Sequence, residues 1–166
     1  MAPVKLDFHP EAIIVEKVVF AGDVKIGKGT VVHPAVEIKA TNGNIIIGDY
    51  NNIEEKTLIE NLSTETMIIG NGNTFEVGCT FKGRKMGEQN ILSVNSYIGE
   101  GVTISDMCSI GMACRVIGEQ ELLPSTVVFG ENNERRIQLD KPQTTTEILE
   151  FLTKILPKYQ KLMKTD

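Results

Sequence analysis

The chain has no tryptophan, and its aromatic residues make up only 5% of 166 positions. With so few flat rings, the stacking platforms that hold single-stranded bases are poorly provided for. Concentrated positive charge is also missing: net charge is −5, and the one basic cluster is the tetrad Lys82, Gly83, Arg84 and Lys85. That tetrad reads as an exposed loop, not as the electrostatic footprint of a nucleic-acid binder. No long apolar run exists near the start, because Ile13 to Ala21 is interrupted by Glu16 and Lys17. Neither a signal peptide nor a membrane-spanning segment is therefore expected. Cysteine is limited to Cys79, Cys108 and Cys114, an odd number without a CxxC spacing, which fits a reducing compartment. Histidine is limited to His9 and His33.

What the sequence does have is a beat of six. Met86, Leu92, Ile98, Ile104, Ile110 and Val116 recur at every sixth position, and Ile14, Phe20, Ile26, Val32 and Ile38 do the same earlier. At 41% apolar composition, six consecutive hits in one phase should arise by chance about once in two hundred trials. Six matches neither the 3.6 of a helix nor the 2 of an open strand. It suits short strands joined by corners and wound as a parallel β-helix, in which each coil buries its inner side only when the next stacks on it. Four residues after the beat the positions are small: Val24, Thr30, Val36, Ser96, Val102, Cys108 and Cys114. A large and a small inward residue would together fill a narrow triangular core. All three cysteines occupy the small slot, so they are expected as buried small hydrophobes. Glycines that follow the beat, such as Gly27, Gly48, Gly70 and Gly87, are expected at tight bends or close coil contacts.

Two insertions interrupt the beat, Ala40 to Asn44 and Glu60 to Thr66, and the basic tetrad slips it by one residue. Three restarts share the order apolar, Gly, two residues, Asn, one residue, apolar, which places Asn51, Asn73 and Asn90 at one corner of successive coils. An amide ladder there would satisfy corner backbone groups. The reading divides the chain into a lead-in (1–13), a β-helix of about six coils (14–130), a connector (131–143) and a C-terminal helix (144–166). Thr144 and Glu147 form a T-x-x-E capping box, and apolar residues from Ile148 through Met163 follow helical spacing. Pro157 is expected to kink that helix or end its first part. The apolar face is expected to pack along one side of the coil, with docking on a partner as the alternative.

The six-residue beat resembles the hexapeptide repeat of left-handed β-helices, and the hand rests on that resemblance, since the crossover rule alone favours the right hand. Enzymes of this architecture lean on histidine. A γ-carbonic-anhydrase zinc site takes three, whereas this chain has two, so no metal site is expected. Acyl transfer uses a histidine base. His33, one after Val32 and followed by Pro34, is read instead as an outward corner residue, and His9 beside Pro10 as a solvated turn residue. Asp23 is read as orienting a corner through its own backbone, and Glu54 and Glu55 as one solvated acid and one at a coil contact. No catalytic, metal or cofactor residue is assigned. The alternative to a non-catalytic protein is a trimeric hexapeptide acyltransferase or γ-carbonic-anhydrase-like enzyme.

Longer strings narrow the resemblance. GDVKIGKGTVVHP from Gly22, IIIGDYNNIEEKTLIEN from Ile45, MIIGNGNTFEVGC from Met67, SIGMAC from Ser109, ENNERRIQ from Glu131 and FLTKILPKYQKL from Phe151 resemble the dynactin subunit 6 family. The resemblance spans about Val18 to Lys161. It implies a non-catalytic, left-handed β-helical subunit of the dynactin pointed-end complex, supporting dynein-driven microtubule transport and cargo binding. The implied partners are dynactin subunit 5, dynactin subunit 4 and the pointed-end actin-related protein. The implied location is cytoplasmic and cytoskeleton-associated. Family members carry a longer phosphorylatable tail implicated at kinetochores; this sequence stops at Asp166, so that regulation is not carried over.

Overall fold

A computed structural model describes residues 3–164 of the chain. The strands form three parallel sheets wrapped around one core, each visited once per coil. The first sheet has seven strands: Lys5–Phe8, Asp23–Ile26, Ile45–Ile47, Met67–Ile69, Lys85–Met86, Val102–Ile104 and Gln120–Leu122. The second has eight, running from Ile13–Ile14 to Thr126–Phe129 with Glu134–Ile137 added antiparallel at its end. The third has six, from Val19–Ala21 to Arg115–Val116. The whole is a left-handed β-helix with one short C-terminal helix.

Every residue named on the beat is buried, and the beat continues past Val116 through Leu122 and Val128. In register, Ile26, Ile47, Ile69, Met86, Ile104 and Leu122 stack as one inward column of the first sheet. Phe75 and Phe81 lie within one coil, and their rings meet edge to face with centroids 6.5 Å apart. The inward side chains of each strand thus meet equivalents above and below, so each coil supplies apolar cover to the next.

The small slots are also buried, and there the asparagine ladder forms. Asn51 Oδ1 accepts from the Asn73 backbone N–H at 2.8 Å, Asn73 Oδ1 from that of Asn90 at 2.9 Å, and Asn90 Oδ1 from that of Cys108 at 2.7 Å. Each Nδ2 donates onward, to the carbonyls of Gly70, Gly87 and Ser105. Thr30 forms the rung before Asn51: its hydroxyl donates to the Gly48 carbonyl and accepts from the Asn51 N–H. The amide is therefore a two-way connector between backbones that strand pairing leaves apart at the corner.

The glycines after the beat are there for space. A Cβ on Gly48 or Gly70 would lie 2.7 or 2.6 Å from the carbonyl oxygen of the equivalent glycine on the next coil. The left-handed backbone comes later in each corner, at Tyr50 (φ 56°), Gln89 (φ 56°) and Met107 (φ 57°), with Gly29 and Gly72 on intervening coils. Tyr50, Gln89 and Met107 accept the cost of positive φ, which the two glycines avoid.

Several expectations need correction. Residues read as a lead-in supply the strand Lys5–Phe8, which pairs with Asp23–Ile26 and puts Phe8 against the core, so the first sheet has seven rungs where about six coils were expected. Part of the connector is the exposed strand Glu134–Ile137. The insertions are tied to each other: the Asn42 amide donates to the Leu62 carbonyl, and buried Asn61 donates to the Asn44 and Glu65 carbonyls. Glu60 remains in its strand, so the second insertion begins after it. Beyond the connector, a 3-10 turn at Thr145–Ile148 precedes the helix α1 (Leu149–Tyr159), whose N-cap Ile148 makes no side-chain capping bond. The T-x-x-E box therefore does not cap α1. Pro157 neither breaks the helix nor divides it, because it falls in the last turn, two residues before the end. Leu162 and Met163 are extended. Leu162 bridges Val15, the Met163 N–H donates to Ile14 at 2.7 Å, and both side chains pack on the core at the first coils.

Candidate functional site

The candidate histidine, His33, lies at the corner following the strand Val31–Val32. It is only 7% exposed, less outward than its place in the beat suggests, because the next coil closes over the ring. Its Nε2 is 2.8 Å from Asn52 Oδ1 and its Nδ1 is 3.5 Å from Glu55 Oε1. Both nitrogens are engaged, so neither is directed at an acceptor group in solvent, as a general base requires. His9 is exposed, and its Nδ1 accepts from the Glu11 N–H. The two histidines are on different coils and do not converge.

Glu54 and Glu55 separate into two environments. Glu55 is half exposed and faces His33. Glu54 stacks along the coil axis with Glu76, and burial, then the charges of Glu76 and Glu55, push its pKa up. Asp23 is in a strand beside Lys5, not in a corner, since the bend is made one residue earlier by Gly22 at φ 72°. Cys79 is fully buried, and its thiol is pushed up to about 12, chiefly by burial, which keeps it un-ionised. Cys108, also raised by burial, continues the ladder with its Sγ 3.3 Å from the Leu123 carbonyl. Among the described residues no group of three or more His, Cys, Asp or Glu side chains is placed to hold a metal ion.

The basic tetrad is less open than expected. Gly83 is buried, Lys85 is in a strand, Lys82 faces Glu60 at 3.8 Å, and Arg84 lies between Glu65 and Glu119 at 3.9 and 3.4 Å. A cleft of about 570 Å³ lies where α1 meets the first corners, lined by Ile13, Lys28, Tyr50, Glu147, Leu149 and Glu150 among others. Its charges are largely spoken for, Lys28 by Glu11 and Glu150 by Lys154.

The outer faces of the coil differ. The second sheet is covered in part by the returning C-terminal segment: Gln138 reaches Met107 and Ser109, and Leu149 is buried. Its outward positions Val31, Asn52 and Thr74 are consequently buried. The third sheet presents a mixed column, with the Arg115 guanidinium 4.4 Å from the centre of the Tyr97 ring. The first sheet presents Lys25, Ile46, Ile68 and Lys85 in consecutive register. Ile46 and Ile68 are 40% and 44% exposed. Counting the beat does not single them out, because each is flanked by inward residues in an all-apolar triplet; an apolar residue one before the beat is the signal that would.

No family model matches the chain. It is 40% identical over 167 residues to dynactin subunit 6 of Xenopus tropicalis, covering 94% of this chain and 83% of that protein. Dynactin subunit 6 of Danio rerio is 41% identical over 156 residues (87% and 80%), and that of Caenorhabditis elegans 38% over 152 (91% and 84%). Among solved structures, a hexapeptide transferase family protein from Anaplasma phagocytophilum superimposes with a TM-score of 0.61 at 16% identity, covering 93% of this chain and 88% of that one. A UDP-N-acetylglucosamine acyltransferase from Bacteroides fragilis gives 0.52 at 20% identity, over 82% and 74%. These structural likenesses concern the fold alone.

Proposed function

We propose that this chain, which belongs to the dynactin subunit 6 family, is a non-catalytic structural subunit of dynactin, acting in its pointed-end complex. There it supports dynein-driven microtubule transport and cargo binding, in the cytoplasm and in association with the cytoskeleton. Its partners are dynactin subunit 5 as a lateral β-helical neighbour, dynactin subunit 4 and the pointed-end actin-related protein. The observation that carries this reading is the identity of about two residues in five to dynactin subunit 6 proteins along nearly the whole coil and tail.

The chemistry of the coil supports association over catalysis. An acyltransferase of this architecture needs a base free to meet its acceptor, whereas His33 is enclosed between Asn52 and Glu55. The outer positions of the first and third sheets mix apolar and charged side chains, the composition of a protein-binding surface. The tail reserves the second sheet and so directs association to the other two. Affinity purification of the tagged chain from native extract, with mass-spectrometric identification, tests the reading. Dynactin subunits recovered in comparable amounts support it; recovery of the chain alone as a symmetric trimer would return the enzyme alternative.

A further inference from the structure

The outward column of the first sheet runs Asp7, Lys25, Ile46, Ile68, Lys85, Thr103 and Glu121, so that two lysines flank an apolar pair on four consecutive rungs. Rungs are about 4.8 Å apart, so the two ammonium groups bracket the apolar pair from roughly 14 Å apart. Neither lysine forms an ion pair among the described residues, whereas Lys28, Lys39 and Lys82 on neighbouring corners and faces all do. Beside the isoleucines, Gly48 and Gly70 bring no side chain, which leaves the strip flat. The two insertions stand at the corner preceding these same two strands and are hydrogen-bonded to each other there.

From this column we infer that the first sheet is the docking face for a flat β side of a different chain, one that is apolar at its centre and carries a carboxylate opposite each lysine. This rests on the association reading above and names its face. A second copy of this chain is a poor occupant in the two arrangements that cover isoleucine with isoleucine. Laid antiparallel with the two-fold between Ile46 and Ile68, it sets Lys25 against Lys85 at both ends; laid parallel in register, it sets each lysine against itself. Either way like charges meet at the edges of a desolvated strip, which is how interfaces reject wrong partners.

The charge pattern gives the test a gain as well as a loss. Lys85→Glu turns the antiparallel self-pairing into one with Lys25 opposite the introduced carboxylate at both ends, so this variant should self-associate where the parent does not. Sedimentation velocity reads that directly. In parallel, binding to dynactin subunit 5 is titrated for the parent, Ile46→Glu, Ile68→Glu, and Val19→Glu on the third sheet as a control. The inference expects Ile68→Glu to weaken binding at least about tenfold with an unchanged unfolding midpoint, and Val19→Glu to bind as the parent does. If Ile46→Glu and Ile68→Glu both bind normally, the face is wrong although the association reading stands. If the parent itself does not bind subunit 5, that partner assignment falls. The face is then judged by Lys85→Glu alone: a dimer supports it, and a monomer overturns it.

Discussion

Asn73 is the rung of the ladder whose replacement should be felt most. It is fully buried and sits between two other asparagines. Its Nδ2 donates to the Gly87 carbonyl at 2.9 Å and its Oδ1 accepts from the Asn90 N–H at 2.9 Å. Asn73→Leu keeps the volume but leaves one backbone acceptor and one backbone donor buried without partners. At about 1–3 kcal/mol for each group, the loss is about 2–6 kcal/mol, a large share of the ~5–15 kcal/mol that holds a typical domain. Asn73→Thr should recover most of that, because Thr30 already plays both roles on the neighbouring part of the ladder, donating at 2.7 Å and accepting at 3.2 Å. Asn71 is exposed, its Oδ1 accepting from the Asp49 N–H and its Nδ2 donating to the Glu88 carboxylate, so Asn71→Ala should cost about 1 kcal/mol or less. Urea unfolding followed by circular dichroism orders the variants: Leu at position 73 far below the rest, Thr near the parent. If Asn73→Leu is as mild as Asn71→Ala, the amides are not carrying the corner backbone.

Ile104→Asp places an unpaired carboxylate on an inward rung and should cost several kcal/mol, on the order of the whole stability, whereas Ser105→Asp should shift the thermal midpoint little. Equal midpoints would mean the inward phase is misassigned. The folded pKa of Glu54 lies above its unfolded value, so ionising it opposes folding; the penalty is absent below the ordinary carboxylate range and complete above the raised pKa. Glu54→Gln should therefore stabilise the protein at neutral pH, with the gain shrinking as pH falls through the raised pKa; a gain independent of pH would point to a cause other than titration. Cys79, with its thiol at about 12, should resist alkylation in the folded protein at pH 8 and react promptly in denaturant, as thiol counting by mass spectrometry would show.

The coil was readable in the sequence because each rung contributes one large and one small inward residue, and stacking forces them into a fixed spacing. The ladder was readable for the same reason: Asn51, Asn73 and Asn90 fall in the small slot of three restarts. What escaped the pattern lies at the ends and outside. Lys5–Phe8 carries a single beat residue, Phe8, too little for periodicity to register, yet it completes a coil by pairing. The residues after Pro157 keep helical spacing, but an unpaired edge near Val15 offers Leu162 and Met163 a strand partner and core contacts that a continued helix would not. The beat puts His33 one residue past the inward position, whereas its burial depends on Asn52 and Glu55 from the next coil, which spacing alone does not reveal. The outward pair Ile46 and Ile68 was hidden within triplets that look uniformly buried.

Co-expression of the chain with dynactin subunit 5, followed by size-exclusion chromatography with light scattering, tests the association reading most directly. A one-to-one complex is expected, and it should be lost or should aggregate when residues 144–166 are deleted, since that segment covers part of the second sheet and packs on the first coils. A particle of three times the 18.3 kDa chain mass, formed by this chain alone and excluding subunit 5, would contradict it and favour a trimeric enzyme.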